Sequence, residues 1–466
     1  AVRLFPLIRC FPKITFPQKI INLSFLYSRD LIPFVFFLKC WANTMNRKKF
    51  ITFDEALKPN RPTAFSAMIK PAGSVCNLGC RYCYYLDKAS LYENRQSIMD
   101  DELLETTIKQ YIQANDIPQI MFVWHGGEPL IAGLDFYKKA VDLQRQYANG
   151  KQIENVLQTN GILIDENWCR FFAEHNFLIG ISIDGPESIH DAYRRNKAGE
   201  ATFAKVMGAI EQMRKYRVEF NTMSVVSRAS EGKAVEIYRF LKSIGSSFMQ
   251  FLPALEHVRI SDKTGKPLIV PPGTPNSVMA EWSVSAKGYG RFLNDIFDEW
   301  VLTDVGRYFV QMFDVALAQW VGVPPALCAF ADTCGDALVI EHNGDVYSCD
   351  HFVYPEYRLG NIKDHNLRSL YRKKEQFRFG MDKRNTLPSE CLNCRYYFAC
   401  RGECPKHRFE QSADGKPNKN ALCEGFKLFF KHVDPYMKYM ADLLHEQKPP
   451  ALVMPWARRR MGFERI

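Results

Sequence analysis

The stretch CNLGCRYC at residues 76–83 decides the fold class of this chain. It directly follows a β-rich run at residues 64–70 (AFSAMIK), so Cys76, Cys80 and Cys83 are expected in the loop after a first strand. Three closely spaced thiolates can hold three irons of a 4Fe–4S cube and leave its fourth iron open to a substrate or cofactor. Zinc is the alternative occupant, because thiolates also bind it, although no obvious fourth ligand accompanies the three cysteines.

The sequence between residue 64 and about residue 253 alternates short β-rich runs with amphipathic helical runs. Strands are predicted at 64–70, 119–124, 153–159, 178–183, 218–225 and 247–252, and helices near 100–114, 134–147, 165–175, 202–216 and 232–243. This alternation indicates βα units and a parallel sheet. Six strands fit an α/β fold with a partial (β/α)6 TIM-like barrel, in which ligands collect at the carboxyl ends of the strands.

The chain changes character after residue 253. Residues 254–290 are rich in Pro, Gly, Ser and charge and are predicted to form a long loop or insertion in a barrel domain spanning 45–290. A helical linker at 291–327, a small cysteine-rich domain at 328–425, and a C-terminal helix and loose tail at 426–466 are predicted to follow.

The net charge of +10 belongs to the N-terminal segment. Residues 1–49 carry nine Lys/Arg against one acid, which leaves 52 basic and 50 acidic residues elsewhere, so nucleic-acid binding is not expected. Residues 1–44 are predicted to be upstream sequence read through from a true start at Met45, and a basic targeting or membrane-surface arm is the alternative. No apolar run reaches the ~20 residues of a membrane-spanning helix, so no membrane partner is expected.

Eight further cysteines form a second group: Cys328, Cys334, Cys349, Cys391, Cys394, Cys400, Cys404 and Cys423. Their tight spacings in an enzyme-sized chain favour metal ligation over disulfides. Eight thiolates are the number that complete two closed 4Fe–4S clusters, and a pair of zinc ribbons is the alternative.

The cysteine triplet and the strings around it resemble the radical S-adenosylmethionine superfamily, which is marked by a CX3CX2C loop after strand one of a partial barrel. The resemblance implies that the open iron binds S-adenosyl-L-methionine and that one electron from the cluster yields a 5′-deoxyadenosyl radical, while the protein positions the cofactor and excludes water. The GGEP string at 126–129 and the ISIDG string at 181–185 match further motifs. By this resemblance the cofactor contacts are Tyr82, Gly127, Ser182, Arg194 and Leu255.

The second cysteine group resembles the SPASM extension of peptide-modifying radical enzymes, including a spacing of nine residues between Cys334 and Gly344. The resemblance implies that one auxiliary cluster is held by Cys328, Cys334, Cys349 and Cys404. It implies that the other is held by Cys391, Cys394, Cys400 and Cys423, which makes three 4Fe–4S clusters in all. Closed clusters of this kind would carry away the electron released when a substrate radical is oxidised.

Residues 63–445 resemble anaerobic sulfatase-maturating enzymes in stretches such as KPAGSVCNLGCRYCYYL, WHGGEP, LQTNG, ISIDGP, FDEWV and NGDVYSCDHFVYPEY. This resemblance implies an oxidoreductase that converts a Cys or Ser of a sulfatase to Cα-formylglycine (3-oxoalanine) by hydrogen abstraction, deprotonation and electron loss. Asp350 matches the family's proton acceptor, and a carboxylate that lies beside a cluster and is buried by a bound peptide is expected to have a raised pKa suited to that task. His125 and Tyr85 are further candidates for the wall of the peptide site.

The implied partners are an unfolded sulfatase, or its Cys/Ser-X-Pro/Ala-X-Arg segment, and a reductant such as flavodoxin or ferredoxin, with the chain acting as a monomer in the cytoplasm. Two alternatives remain open. One is another SPASM peptide maturase, which forms thioether or carbon–carbon cross-links. The other is a non-catalytic iron–sulfur electron carrier or a zinc-binding scaffold. An iron and sulfide content near twelve each would exclude zinc, and S-adenosylmethionine cleavage would exclude a mere carrier.

Overall fold

The computed structural model describes residues 63–85, 88, 91–92, 98–261, 265, 267–271 and 274–463. The prediction for residues 1–44 lies outside this part of the chain. The strands are β1 (Ser66–Lys70), β2 (Gln119–Trp124), β3 (Gln152–Thr159), β4 (Leu178–Ser182), β5 (Phe220–Val226), β6 (Phe248–Pro253), β7 (His257–Ile260), β8 (Pro267–Val270), β9 (Val278–Met279), β10 (Phe309–Val310), β11 (Ala337–Glu341), β12 (Asp345–Tyr347) and β13 (Arg358–Asn361).

The α-helices of the described residues include five that cover the barrel strands and several that belong to the second half. They are α1 (Asp101–Ala114), α2 (Leu134–Tyr147), α3 (Glu166–Glu174), α4 (Glu187–Tyr193), α5 (Phe203–Lys215), α6 (Ala234–Ser243), α7 (Ala286–Thr303), α8 (Gln311–Trp320), α9 (Leu367–Tyr371), α10 (Lys374–Asn385), α11 (Ser389–Leu392), α12 (Tyr397–Cys400), α13 (Cys423–His445) and α14 (Val453–Arg460).

Strands β1 to β6 confirm the predicted βα alternation. They pair in parallel and in chain order, and the predicted strands and helices up to residue 253 agree with the structure to within a couple of residues at each end. Side chains such as Ile69, Trp124 and Ile181 are fully buried in the core between sheet and helices. Helix starts follow local chemistry, since the carboxylate of Asp165 accepts a hydrogen bond from Trp168 N (2.9 Å) and caps α3.

The cysteine-rich half of the chain continues the barrel sheet. Strand β11 pairs in parallel with the free edge of β1, so that Ser66 lies beside Ala337 and Lys70 beside Glu341. Strands β12 and β13 extend the sheet antiparallel, and within the described residues this sheet has ten strands. The carboxyl end of β11 therefore meets the carboxyl end of β1, where the barrel's ligands are expected.

The insertion after β6 is not a bare loop. Strands β7, β8 and β9 form a small antiparallel sheet within the segment predicted as a loop or insertion. Val258 of β7 packs with Trp282 against the cysteine loop, in contact with Cys80 and Tyr82. The high content of Pro, Gly and charged residues predicted a loop here, because the pairing of β7, β8 and β9 depends on this packing and not on local β propensity.

The predicted loose tail is wrong, because residues 453–460 form helix α14. The Trp456 ring stacks on Tyr439 (4.8 Å between ring centroids) and meets Tyr436 edge-on (5.4 Å), which fixes α14 on α13. Helix α13 in turn packs closely on α7, since a Cβ at Gly425 would lie 2.1 Å from Ala286 O. Within the described residues, every helix is too short or too polar to cross a membrane.

Candidate active site

The cysteine loop is fastened to the turn after β2 by backbone hydrogen bonds. Gly127 N donates to Gly73 O (2.8 Å) and Glu128 N donates to Val75 O (2.8 Å). A Cβ at Gly127 would lie 2.2 Å from Val75 O, so only glycine permits this approach. The GGEP string thus holds the chain immediately before Cys76 at the carboxyl ends of β1 and β2.

Replacing Gly127 with alanine should displace the cysteine loop from the turn after β2. We expect S-adenosylmethionine cleavage under reductant, measured as 5′-deoxyadenosine release, to fall by roughly a hundredfold, as misplacement by about 1 Å can do. Gly208→Ala is the matched control, because its Cβ meets nothing within 4 Å and it lies within helix α5. Wild-type cleavage by Gly127→Ala would contradict this reading of the loop.

Of the three cysteines of the loop, Cys80 is buried and Cys76 and Cys83 are half-buried. Burial, followed by the charges of Glu128 and Cys83, raises the pKa of Cys76 to about 12, and burial likewise raises that of Cys80 to about 12. The Asn160 side chain donates toward Cys76 Sγ (3.7 Å). Buried thiols of this kind become thiolates when a cation such as iron compensates their charge, so the donor set fits an iron–sulfur cluster.

The residues implied as S-adenosylmethionine contacts lie around this loop. Asp184 joins two of them, because Tyr82 Oη donates to its carboxylate and Arg194 Nε donates to the other oxygen (3.0 Å). Ser182 ends β4, and its hydroxyl accepts from Gln158 Nε2 (2.9 Å). Leu255 follows β6 and is buried. The structure thus brings these side chains to one end of the barrel, and their contact with the cofactor stays a prediction.

The eight later cysteines act on one another electrostatically in two sets of four, or quartets, and their assignment as the ligands of two clusters stays a prediction. Burial raises the pKa of Cys334 to about 12, and the charges of Cys349 and Cys328 add to this effect. The pKa of Cys404 is raised by burial, by Glu403 and by the same two thiols. In the second quartet, Cys400, Cys391, Cys394 and Cys423 are coupled in the same way.

The second quartet also lines one cavity. Cys391, Cys394, Cys400 and Cys423 face it together with Tyr396, Phe426 and Phe430. No disulfide joins two cysteines among the described residues. Among the same residues, no three His, Cys, Asp or Glu side chains converge closely enough to hold a single metal ion. Four thiols around an apolar-walled cavity fit a closed iron–sulfur cluster, whose ligands bind four different irons.

Asp350 reaches the barrel mouth from the cysteine-rich half. It follows Cys349, is 3% exposed, and forms a buried ion pair with Lys70 at the carboxyl end of β1. Its second oxygen accepts a hydrogen bond from Tyr84 Oη, next to Cys83. The pairing of β11 with β1 therefore places a carboxylate beside the cysteine loop.

The neighbours of Asp350 set its charge state in this structure, and the rise in pKa expected when a bound peptide buries this carboxylate beside a cluster stays a prediction. Burial does oppose its ionisation, but the charge of Lys70 and the hydrogen bond that Lys70 donates outweigh burial and hold the pKa well below its usual range. The sequence argument counted the burial and missed the cation. Asp350 is thus an ionised carboxylate with both oxygens held.

Replacing Lys70 with methionine should lower the free energy of unfolding by about 3–5 kcal/mol, because it leaves the Asp350 charge buried without its partner. Denaturant titration under anaerobic conditions measures this change. The double variant Lys70→Met/Asp350→Asn should recover much of the loss, since no uncompensated charge then remains. Equal stability of Lys70→Met and the wild type would show that the pair is not buried as described.

The two further candidates for the peptide site have different surroundings. His125 Nδ1 accepts from Gly126 N (2.7 Å), and burial lowers the pKa of His125 to about 4 despite nearby Asp350, so the ring is neutral. Tyr85 is 3% exposed, and its Oη donates to Glu341. The Lys70 ammonium lies 3.2 Å from the centre of the Tyr85 ring.

Sequence reasoning missed Lys70 and Tyr84. Lys70 was read only as the last residue of a strand, and Tyr84 as the neighbour of a cysteine. A lysine that closes an otherwise apolar strand at the ligand-binding end of a barrel was the available signal. No local pattern announces the partner of Lys70, which lies 280 residues further along the chain.

Two family models match the chain, that of the Radical SAM superfamily at residues 71–241 and that of the Iron-sulfur cluster-binding domain (SPASM) at 328–395. A serine-type anaerobic sulfatase-maturating enzyme of Bacteroides thetaiotaomicron is 48% identical over 83% of this chain and 94% of its own length. A cysteine-type anaerobic sulfatase-maturating enzyme of Clostridium perfringens is 35% identical over 81% and 98%.

A solved structure also resembles the chain over most of its length. Native anSMEcpe with bound AdoMet and the Cp18Cys peptide is 34% identical, with a TM-score of 0.70, over 82% of this chain and 99% of that one. The likeness therefore covers both the barrel and the cysteine-rich half.

Proposed function

We propose a function from the finding that this chain belongs to the anaerobic sulfatase-maturating enzymes of the radical S-adenosylmethionine superfamily. In this proposal the protein oxidises one Cys or Ser side chain of a sulfatase to Cα-formylglycine without oxygen. S-adenosylmethionine bound at the cluster of Cys76, Cys80 and Cys83 would supply the radical that abstracts a hydrogen from that side chain. Tyr82, Gly127, Ser182, Arg194 and Leu255 would hold this cofactor at the carboxyl end of the barrel.

One observation carries the proposal: the parallel pairing of β11 with β1. It delivers Asp350 from the cysteine-rich half to Lys70 and Tyr84, beside the loop that holds Cys83. A hydrogen-abstracting site and a carboxylate are then adjacent, which is what oxidation of a thiol or hydroxyl side chain requires. An electron carrier would have no need for this arrangement.

Asp350 takes the proton of the substrate thiol or hydroxyl in this proposal. Its pKa lies well below the usual range, so it is ionised before the substrate arrives. A carboxylate that is stabilised so strongly is a weak base, so the bound substrate must weaken its pairing with Lys70 before it takes the proton. Lys70 and Tyr84 hold one oxygen each, which spares the reaction the entropy of orienting the carboxylate.

The two cysteine quartets would complete a set of three 4Fe–4S clusters. The first quartet includes Cys349, which adjoins Asp350, so its cluster stands where an electron leaves the oxidised side chain. The second quartet would carry that electron further. We further propose domains at 45–290, 291–327, 328–425 and 426–466, a monomeric chain in the cytoplasm, and flavodoxin or ferredoxin as the reductant.

Three peptides that differ at one position test the function. Each carries the segment X-X-Pro-X-Arg with Cys, Ser or Ala at its first position, and each is incubated anaerobically with the reconstituted protein, S-adenosylmethionine and reductant. We expect the mass of formylglycine from the Cys and Ser peptides and none from the Ala peptide. The 48% identity with a serine-type enzyme supports including the Ser peptide. A cross-linked product without formylglycine would support another peptide maturase instead.

A further inference from the structure

Lys383, near the end of helix α10, is buried against the first cysteine quartet. Its side chain is 1% exposed, and its Nζ donates to the carbonyl oxygens of Cys328 (2.7 Å), Ala329 (2.8 Å) and Ala331. Three acceptors match the three N–H donors of an ammonium group, whereas a neutral amine would turn its lone pair against one carbonyl. The geometry therefore requires the charged form.

Arg408 is a second buried cation nearby. It is 6% exposed and donates to the carbonyl oxygens of Gly402 (2.8 Å), Glu403 (2.8 Å) and Arg401 (3.0 Å) and to Lys383 O. A guanidinium cannot lose its charge in a protein. The bond to Lys383 O joins the two cations into one unit between the quartets.

Neither cation has a carboxylate partner in the part of the chain that the structure describes. The nearby carboxylate of Glu403 is held instead by His407 Nδ1 (2.9 Å) and Asn420 Nδ2 (2.7 Å). Burying a charge without a counter-charge costs several kcal/mol. A negatively charged group must therefore lie close to the two cations, because the carbonyl dipoles compensate only part of their positive charge.

The compensating groups are the thiolates of the two quartets together with the charge of Glu403, which acts on Arg408. Lys383 Nζ lies 2.7 Å from the carbonyl oxygen of Cys328, a member of the first quartet. The thiols that act on Arg408 are Cys404 of the first quartet and Cys400 and Cys391 of the second. Lys383 thus faces the first quartet, and Arg408 lies between the two.

We propose that Lys383 and Arg408 raise the reduction potentials of the auxiliary clusters, with Lys383 acting on the cluster of Cys328, Cys334, Cys349 and Cys404. A cube held by four thiolates gains one negative charge when it accepts an electron. A buried cation stabilises that reduced state more than the oxidised state. In the reaction, one electron leaves the substrate radical and reduces this cluster, so a raised potential makes the transfer more favourable.

This inference rests on the proposed function for its purpose but is tested without sulfatase or S-adenosylmethionine. The full chain with Cys76, Cys80 and Cys83 replaced by alanine is reconstituted, so that only the auxiliary clusters report. A redox titration followed by electron paramagnetic resonance then compares Lys383→Met with its parent. We expect the ratio of reduced to oxidised cluster in the first quartet to fall about tenfold at a fixed potential, which is about 59 mV for one electron.

Lys427→Met is the matched control. Lys427 also influences thiols, Cys423 and Cys394, but its side chain is 44% exposed, so solvent screens it. This control should leave the potential of the first-quartet cluster near the parent value, and Lys383→Arg should retain the raised potential.

Lys383→Gln provides a second neutral variant if Lys383→Met does not assemble its cluster. Parent-like potentials in either neutral variant would overturn the proposal. Loss of the first-quartet cluster in the Met, Gln and Arg variants alike would also overturn it, because Lys383 would then serve only to hold the turn at 328–331. Formylglycine formation is measured in a separate assay. The redox titration can therefore be interpreted even if the protein forms no formylglycine.

Discussion

Asp350→Asn should still cleave S-adenosylmethionine yet form roughly 10²- to 10⁴-fold less formylglycine than the wild type, the range expected for losing a general base. Asparagine keeps the shape of the side chain but cannot accept a proton from the substrate thiol or hydroxyl. Anaerobic assays that count 5′-deoxyadenosine and formylglycine in the same sample measure both effects, and their ratio reports the uncoupling.

The same substitution leaves Lys70 buried without its anion, so the fold must be controlled. The double variant Lys70→Met/Asp350→Asn removes both charges and should show the same uncoupling with better stability. Asp382→Asn removes an exposed carboxylate of α10 and should behave as the wild type. Full formylglycine formation by Asp350→Asn would show that Asp350 is not the proton acceptor.

Replacing Cys76, Cys80 and Cys83 together with alanine should abolish S-adenosylmethionine cleavage altogether. These thiols are the ligands we assign to the cluster with an open iron, and alanine offers no donor. Iron and sulfide should fall from roughly twelve to roughly eight per chain, because the two quartets are untouched.

Cys169→Ala is the control for this experiment. Cys169 is a free thiol buried in helix α3, away from the three cysteine sets in sequence. Its removal should change neither the iron content nor the cleavage. Cleavage that survives the triple substitution, or iron that falls to zero, would contradict the assignment of three separate clusters.

The sequence predicted much of the fold because the relevant signals are local. Alternating β-rich and helical runs gave β1 to β6 and their helices, since apolar periodicity and caps such as Asp165 depend on neighbours along the chain. The same reasoning failed for β7 to β9 and for α14. Those elements owe their stability to packing on the cysteine loop and on α13, which no local pattern reveals.

The candidate site divides in the same way. The cysteine spacings predicted three ligand sets, and thiols of the two later sets act on one another electrostatically in the structure. The low pKa of Asp350 in this structure depends on Lys70, a cation that the sequence argument did not include. Likewise nothing around Lys383 in the sequence announces a cation beside the first quartet.

The amino-acid sequence by itself determined which residues can bind iron and that they follow a strand of a parallel barrel, because ligand identity and periodicity are properties of the chain. Only the tertiary structure decided what surrounds them. The pairing of β11 with β1 joins Lys70 to Asp350 across 280 residues. Since Coulomb interactions depend on distance in space and on burial, the charge state of the site follows from this contact and not from the order of the residues.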